Sequence, residues 1–249
     1  MDRVTTNEGL RLAEELVSFL APASVEAEQY RTLRHVVERL RRDSGCQVIA
    51  ITSAGAGDGK TVTTLNLAGS LAQSPEARVL VICADLHRAA VTERLGLTRQ
   101  HSPGLAGAIL NEECGLAQAV CRFDSLNLSV LIAGDAQARP YELLASPRLE
   151  HLLAEARRLY DYVLIDTPPV VPLADCRLVG RWVDGFIVVV AAHKTPRKLL
   201  AEALNVLDAA KVLGVVFNGD DRPLAPYYGY YGHEPAARLP PARRSVGER

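Results

Sequence analysis

Ala54-Gly55-Ala56-Gly57-Asp58-Gly59-Lys60-Thr61 is the stretch on which the fold turns. It follows an apolar strand candidate, Val48–Thr52, and opens a helix candidate at Lys60. A strand, a glycine-rich turn and a helix N-terminus in that order make a phosphate-binding loop. The chemistry needs this composition. Glycines let successive backbone N–H groups converge on phosphate oxygens, and the helix N-terminus adds its dipole. On this reading Gly55, Ala56, Gly57, Asp58, Gly59, Lys60, Thr61 and Val62 line the phosphates, Lys60 reaches the β and γ groups, and Thr61 Oγ1 holds Mg²⁺. Ala54 at the first position, where glycine is usual, is a mild departure.

Two carboxylates complete the pattern. In Tyr160-Asp161-Tyr162-Val163-Leu164-Ile165-Asp166-Thr167-Pro168-Pro169, Asp166 ends a buried strand, where open α/β sheets bind their ligands. Asp166 thereby becomes a candidate for positioning Mg²⁺ directly or through water. In Val79-Leu80-Val81-Ile82-Cys83-Ala84-Asp85-Leu86-His87-Arg88, Asp85 sits at another strand tip, a candidate for the γ-phosphate side. Strand candidates recur at Gln47–Thr52, Arg78–Ala84, Leu126–Ala133, Tyr162–Asp166, Gly185–Ala191 and Val212–Phe217, with helical patterns at Lys60–Ala72, Pro147–Leu159 and Arg197–Ala210. Each strand pair is separated by enough chain for a crossover helix. The fold class is therefore α/β, a mostly parallel sheet flanked by helices.

Composition narrows the function. The chain has 249 residues, 28 Lys+Arg against 29 Asp+Glu, and 48% apolar residues. Such balance argues against a nucleic-acid partner, which draws a strongly basic face. No apolar run is long enough to span a bilayer, and Met1-Asp2-Arg3 does not begin a signal peptide. Cys46, Cys83, Cys114, Cys121 and Cys176 form no C-x-x-C pair, which fits reduced thiols in the cytoplasm. The histidines, His35, His87, His101, His151, His193 and His233, lack metal-ligand spacing.

The ends differ from this core. Glu8–Leu20 places Leu12, Leu16, Phe19 and Leu20 on one helical face before Pro22, and a charged helix from Ser24 to Arg42 follows, with Ser24 as its N-cap. Residues 1–43 are thus expected as a helical segment, 44–222 as the phosphate-loop domain and 223–249 as a tail. Half of the 8 tyrosines, Tyr227, Tyr228, Tyr230 and Tyr231, crowd into that tail beyond the last strand. Nothing there supplies a core to bury them, so they read as exposed acceptors.

Together these elements resemble the bacterial tyrosine kinases (BY-kinases) of capsule and exopolysaccharide synthesis, P-loop proteins related to the MinD/ParA ATPases. Leu16-Val17, Pro22 and Glu28-x-x-Arg31-x-x-Arg34 look like the family's N-terminal segment and ring-forming motif. Pro140–Pro147, Asp166–Asp175 and Val183–Asn218 run in the family's register, and Tyr227–Tyr231 is similar to its C-terminal tyrosine cluster. The resemblance implies ATP with Mg²⁺ on Gly57, Gly59, Lys60 and Thr61, Asp85 and Asp166 around metal and γ-phosphate, and Asn218 at adenine. It implies autophosphorylation of the tail between subunits of a ring, through Glu28, Arg31 and Arg34. It also implies a separate membrane-anchored co-polymerase or activator holding the chain at the inner face of the membrane.

The sequence departs from the family at Cys83, where an aspartate is usual, and at His87, where arginine is usual. A thiol is a poor Mg²⁺ ligand. Three readings stand: a weakened kinase, a nucleotide-binding scaffold of the export machinery without tyrosine transfer, and a redox-sensitive Cys83. The retained tyrosine cluster favours the first. A MinD/ParA-type positioning ATPase is disfavoured, since Gly55 stands where those proteins carry a signature lysine. Lys194, Arg197 and Lys198 start a helix and could approach phosphates, though a solvated helix end is the more ordinary reading; the four tail arginines are marginal for binding anionic lipid.

Overall fold

The computed structural model describes residues 3–5, 11–88, 90–97, 102–135, 140–171 and 175–220. Along the chain run β1 (Arg3–Thr5), β2 (Arg11–Ala13), α1 (Val17–Leu20), α2 (Val25–Ser44), β3 (Val48–Ser53), α3 (Lys60–Ala72), β4 (Val79–Cys83), α4 (Ala90–Arg94), α5 (Gly104–Leu110) and α6 (Leu116–Ala119). Then come β5 (Cys121–Phe123), β6 (Leu128–Leu131), α7 (Pro140–Ala145), α8 (Pro147–Leu159), β7 (Tyr162–Asp166), α9 (Asp175–Val179), β8 (Gly185–Ala191), α10 (Arg197–Val206) and β9 (Val212–Asn218). The main sheet has 7 strands in the order β5-β6-β4-β7-β3-β8-β9, and within it β5 alone runs antiparallel to its neighbour.

The central strands are mostly apolar and almost wholly buried because helices cover both faces of the sheet, polar residues (Thr52, Ser53, Asp166) falling at their C-terminal ends. Along β3 the alternation divides the core: Val48 and Ala50 face a cluster with α5, α8 and α9, while Ile49 and Ile51 face one with α2, α3 and α4. Helix α3 is buried nearly all round, with the sheet on one side and α1 and α2 on the other. Phe19 of α1 lies across Gly69, where a Cβ would come within 2.7 Å of its ring. Helix α2 begins as its sequence indicates: Ser24 Oγ accepts from Ala27 N–H at 3.1 Å, and Gly45 closes the helix in the left-handed region, φ +70°.

The structure corrects several expectations. Glu8–Leu20 is not one helix: Arg11–Ala13 is a strand paired with β1, and only Val17–Leu20 is helical. Leu12 and Leu16 still reach the core, because their spacing serves an extended segment plus a turn as well as a helix face. Leu12, Leu16 and Val37 lie in one core cluster with Ile49 and Ile51 of β3 and the apolar residues of α3. Helix α10 ends at Val206, and a separate short turn, Ala209–Lys211, capped by Asp208, precedes β9. The strand expected over Leu126–Ala133 contracts to Leu128–Leu131, and its antiparallel partner β5 was too short to leave a periodic signal. The tyrosine cluster, Tyr227–Tyr231, lies outside the described residues. Among the described residues no helix is long and apolar enough to cross a membrane.

At the end of the sheet opposite the glycine loop, Asp184 ties three elements together. It accepts from Gln47 and Val48 N–H, each at 2.8 Å, and takes a two-pronged bond from Arg157 at 2.9 and 2.7 Å. Burial works to raise its carboxyl, but Arg157 and the two N–H groups outweigh burial and hold it below the ordinary value. Asp184→Ala should cost about 1–3 kcal/mol of stability at neutral pH, read from denaturant midpoints. The depressed carboxyl contributes above its ordinary 3.8 and loses that contribution as pH falls through the folded value. Wild type and variant should therefore converge in acid; a constant gap would mean that the charge is not what stabilises.

Candidate functional site

The loop between β3 and α3 is held from below by its own acid. Asp58, almost fully buried, accepts from Gly55 N–H at 3.0 Å through one oxygen and from Thr195 Oγ1 at 2.8 Å through the other. Thr195 in turn accepts from Ala191 N–H at 2.9 Å, so the end of β8 fixes the loop. Gly57 and Gly59 adopt φ of +86° and +95°, which side chains with a Cβ rarely do. Inside α3 the first backbone bond runs from Thr63 N–H to Gly59 carbonyl at 2.9 Å. The N–H groups before it are the unsatisfied donors of a helix N-terminus, the arrangement an anion takes up.

Three of the sequence-selected residues meet a fourth at the strand ends. Asp166 on β7 stands in register with Ile51 on β3 and Cys83 on β4. Its Oδ2 accepts from Thr61 Oγ1 at 2.8 Å, and its carbonyl accepts from Ala84 and Asp85 N–H at 2.8 and 3.1 Å. Lys60 Nζ is bonded to Asp85 Oδ2 at 3.0 Å, both side chains largely enclosed. Burial pushes the Asp166 carboxyl up to about 6; Lys60 and Thr61 oppose the rise and Asp85 adds to it. Asp166 Oδ1 is buried with no hydrogen-bond partner. A hard divalent cation satisfies such an oxygen, and Mg²⁺ takes one or two protein oxygens with the remainder from phosphate and water. Among the described residues no three His, Cys, Asp or Glu gather into a metal site.

The other expected residues fall around this centre in different ways. Asn218, ending β9, donates from Nδ2 to Asp58 carbonyl at 3.0 Å and lies so close to Gly59 that a Cβ there would stand 1.9 Å from it. Cys83 is fully buried in the core, with Sγ 3.8 Å from Asp85 carbonyl. Burial raises its thiol far above the ordinary value, and the charges of Asp166 and Asp85 add to that, which disfavours the thiolate a redox-sensitive site needs. Glu28 and Arg31 pair with each other along α2, Arg31 also donates to Pro22 carbonyl, and Arg34 binds Glu38 and, at 2.9 Å, Ser70 carbonyl. Lys194 is exposed, as a solvated helix end would be, and its Nζ also lies 3.6 Å from where a Gly57 Cβ would be, because the Thr195–Asp58 bond holds its turn against the loop.

The protein-family profile described as an AAA domain matches residues 46–196. The chain is 35% identical over 228 residues to the tyrosine-protein kinase YwqD of Bacillus subtilis, spanning 91% of this chain and 94% of that protein. It is 32% identical over 220 residues to the succinoglycan biosynthesis transport protein ExoP of Rhizobium meliloti, spanning 86% of this chain but 28% of ExoP. The solved kinase domain of the Escherichia coli tyrosine kinase ETK superposes with a TM-score of 0.76 at 28% identity, covering 82% of this chain and 79% of that one. With a P-loop and strand-end acids placed as above, the chain belongs to the bacterial tyrosine kinases, the BY-kinase family.

Proposed function

We propose that the chain is an ATP- and Mg²⁺-dependent tyrosine autokinase. It transfers the γ-phosphoryl group to Tyr227, Tyr228, Tyr230 and Tyr231 of a neighbouring copy and thereby regulates polymerisation and export of an exopolysaccharide. The observation that carries this reading is the buried Thr61–Asp166 pair with its unsatisfied Oδ1, set beside the Lys60–Asp85 pair at the mouth of the loop.

Each residue has a task that its surroundings support. The N–H groups of residues 57–62 bind phosphate oxygens, and Lys60 supplies a charge that Asp85 keeps in place. Thr61 and Asp166 would hold Mg²⁺, which when bound neutralises charge on the phosphates. Asp85 orients the incoming phenol and accepts its proton as the phenolic oxygen bonds to the γ-phosphorus and the bond to the ADP oxygen breaks. Asn218, fixed against the loop, borders the adenine. Each phosphate adds close to two negative charges to the crowded tail, which favours separation of subunits joined through Glu28, Arg31 and Arg34. ExoP is named as a transport protein and extends well beyond the region matched here. This supports a partner at the membrane that holds the shorter chain at the inner face.

A second reading, a nucleotide-binding scaffold without tyrosine transfer, draws on Cys83: a buried thiol stands beside the two acids where a further oxygen ligand would help hold the metal.

Purified protein incubated with Mg²⁺–ATP should gain phosphate masses mapping to Tyr227–Tyr231, alone or with the cytoplasmic segment of a candidate membrane partner. Lys60→Met should lower that signal to about a hundredth or less of wild type. ATP bound without any phosphate gain would establish the scaffold instead. Cys83→Asp should raise the initial rate about fivefold, on the order of 1 kcal/mol at the barrier. An unchanged rate, with Mg²⁺ affinity also unchanged, would show that residue 83 does not limit the metal site.

A further inference from the structure

Three side chains from the region of β8, α10 and β9 lie over alternate residues of the glycine loop. Leu199 comes to 3.0 Å from where a Gly55 Cβ would be, Lys194 Nζ to 3.6 Å from a Gly57 Cβ, and Asn218 Nδ2 to 1.9 Å from a Gly59 Cβ. Two of these contacts are packing. Leu199 lies against the apolar core, and Asn218 donates its Nδ2 to the Asp58 carbonyl. Lys194 is different, because it brings a charge to the loop. Lys60 is paired with Asp85, whereas Lys194 Nζ forms no hydrogen bond or ion pair among the described residues.

The turn that carries Lys194 is fixed from several sides. Ala192 N–H donates to the Asn218 carbonyl at 2.8 Å, and the N–H groups of Lys194 and Thr195 donate to the Ala191 carbonyl at 3.2 and 3.0 Å. Thr195 Oγ1 accepts from Ala191 N–H and donates to Asp58. His193 is held at φ +60°, which a residue with a Cβ seldom adopts unless its surroundings impose it. The backbone at Lys194 is thus anchored to the loop and to β9, while its side chain stays exposed.

Taken with the loop alone, this placement sets like charge against like. The N-terminus of α3 is partly positive, Lys60 stands there already, and Lys194 adds a further cation beside Gly57. An anion on the loop N–H groups turns each of these repulsions into an attraction. The sheet order gives the direction. Asp166 and Asp85 follow β7 and β4 on one side of β3, and Lys194 follows β8 on the other. A polyphosphate in the loop would lie between the acids on one flank and Lys194 on the other, where an ammonium on a flexible stem meets phosphate oxygens as a point charge.

We propose that Lys194 is a second phosphate-binding cation, which contacts the nucleotide's polyphosphate from the β8 side while Lys60 contacts it from within the loop. This rests on the nucleotide-binding reading of the loop.

The test is equilibrium binding of a fluorescent ATP analogue with Mg²⁺ to wild type, Lys194→Met, Lys194→Arg and Lys60→Met, with thermal melts of each protein without nucleotide. Lys194→Met should weaken binding about fivefold at low ionic strength, a modest loss because the side chain is exposed. The gap should narrow as salt screens the charge. Lys194→Arg, which restores the charge, should bind within about twofold of wild type. Both Lys194 variants should melt with wild type, since Nζ bonds to nothing in the described fold. Equal affinity of wild type and Lys194→Met would overturn the proposal. So would equal weakening by Lys194→Met and Lys194→Arg, or an earlier melt of Lys194→Met, which would make the residue a prop for the loop. Nucleotide bound by wild type and lost in Lys60→Met upholds the loop reading whatever Lys194 does. A wild type that binds no nucleotide, or a Lys60→Met that binds it equally, would end both.

Discussion

Asp166 has no exposed surface, and the arrangement of the site follows from how its polar atoms are met. Its carbonyl binds the two residues that leave β4, and its Oδ2 binds the first turn of α3 through Thr61. One residue thus sets the spacing between the strand tip bearing Asp85 and the helix bearing Lys60. The remaining oxygen, Oδ1, is left for something the protein does not supply. Burial works against ionisation of a carboxylate in that condition, and a cation at Oδ1 would offset that cost. The sheet order serves the same end, placing β7 between β3 and β4 so that the loop, Asp166 and Asp85 emerge side by side.

Around that centre the loop is held by bonds to its backbone, one of which takes up the Gly55 N–H expected at phosphate. Asp58 and Asn218 hold it by Gly55 N–H and by its own carbonyl, while Thr195 carries the constraint to β8. Preorganisation of this kind leaves little to reorder when charge moves in a reaction. Cys83 belongs to the same register as Asp166 but contributes only volume. Its burial explains why the departure leaves the fold intact: a small thiol fits a core position at which a carboxylate would need a cation beside it.

Much of this was legible in the sequence because the signals were local. Glycines before Lys60, and acids at the ends of apolar runs, state the chemistry and its place on the sheet at once, and β3, β7, β8 and α8 fall where their patterns put them. What the sequence left open depends on contacts between distant residues. Lys194 is brought to the loop by Thr195 and Asp58, 137 positions apart. The N-terminal segment misled because the spacing of Leu12 and Leu16 suits more than one backbone, and pairing with β1 decided between them.

The most direct test of the central claim mixes two copies distinguishable by mass. One carries Lys60→Met with its tyrosines intact; the other keeps Lys60 but has Tyr227, Tyr228, Tyr230 and Tyr231 replaced by phenylalanine. With Mg²⁺–ATP, phosphate should accumulate on the tail of the Lys60→Met copy alone, and only when both are present. Phosphate on neither copy, with ATP bound by the second, would contradict transfer from this loop to a neighbour's tail.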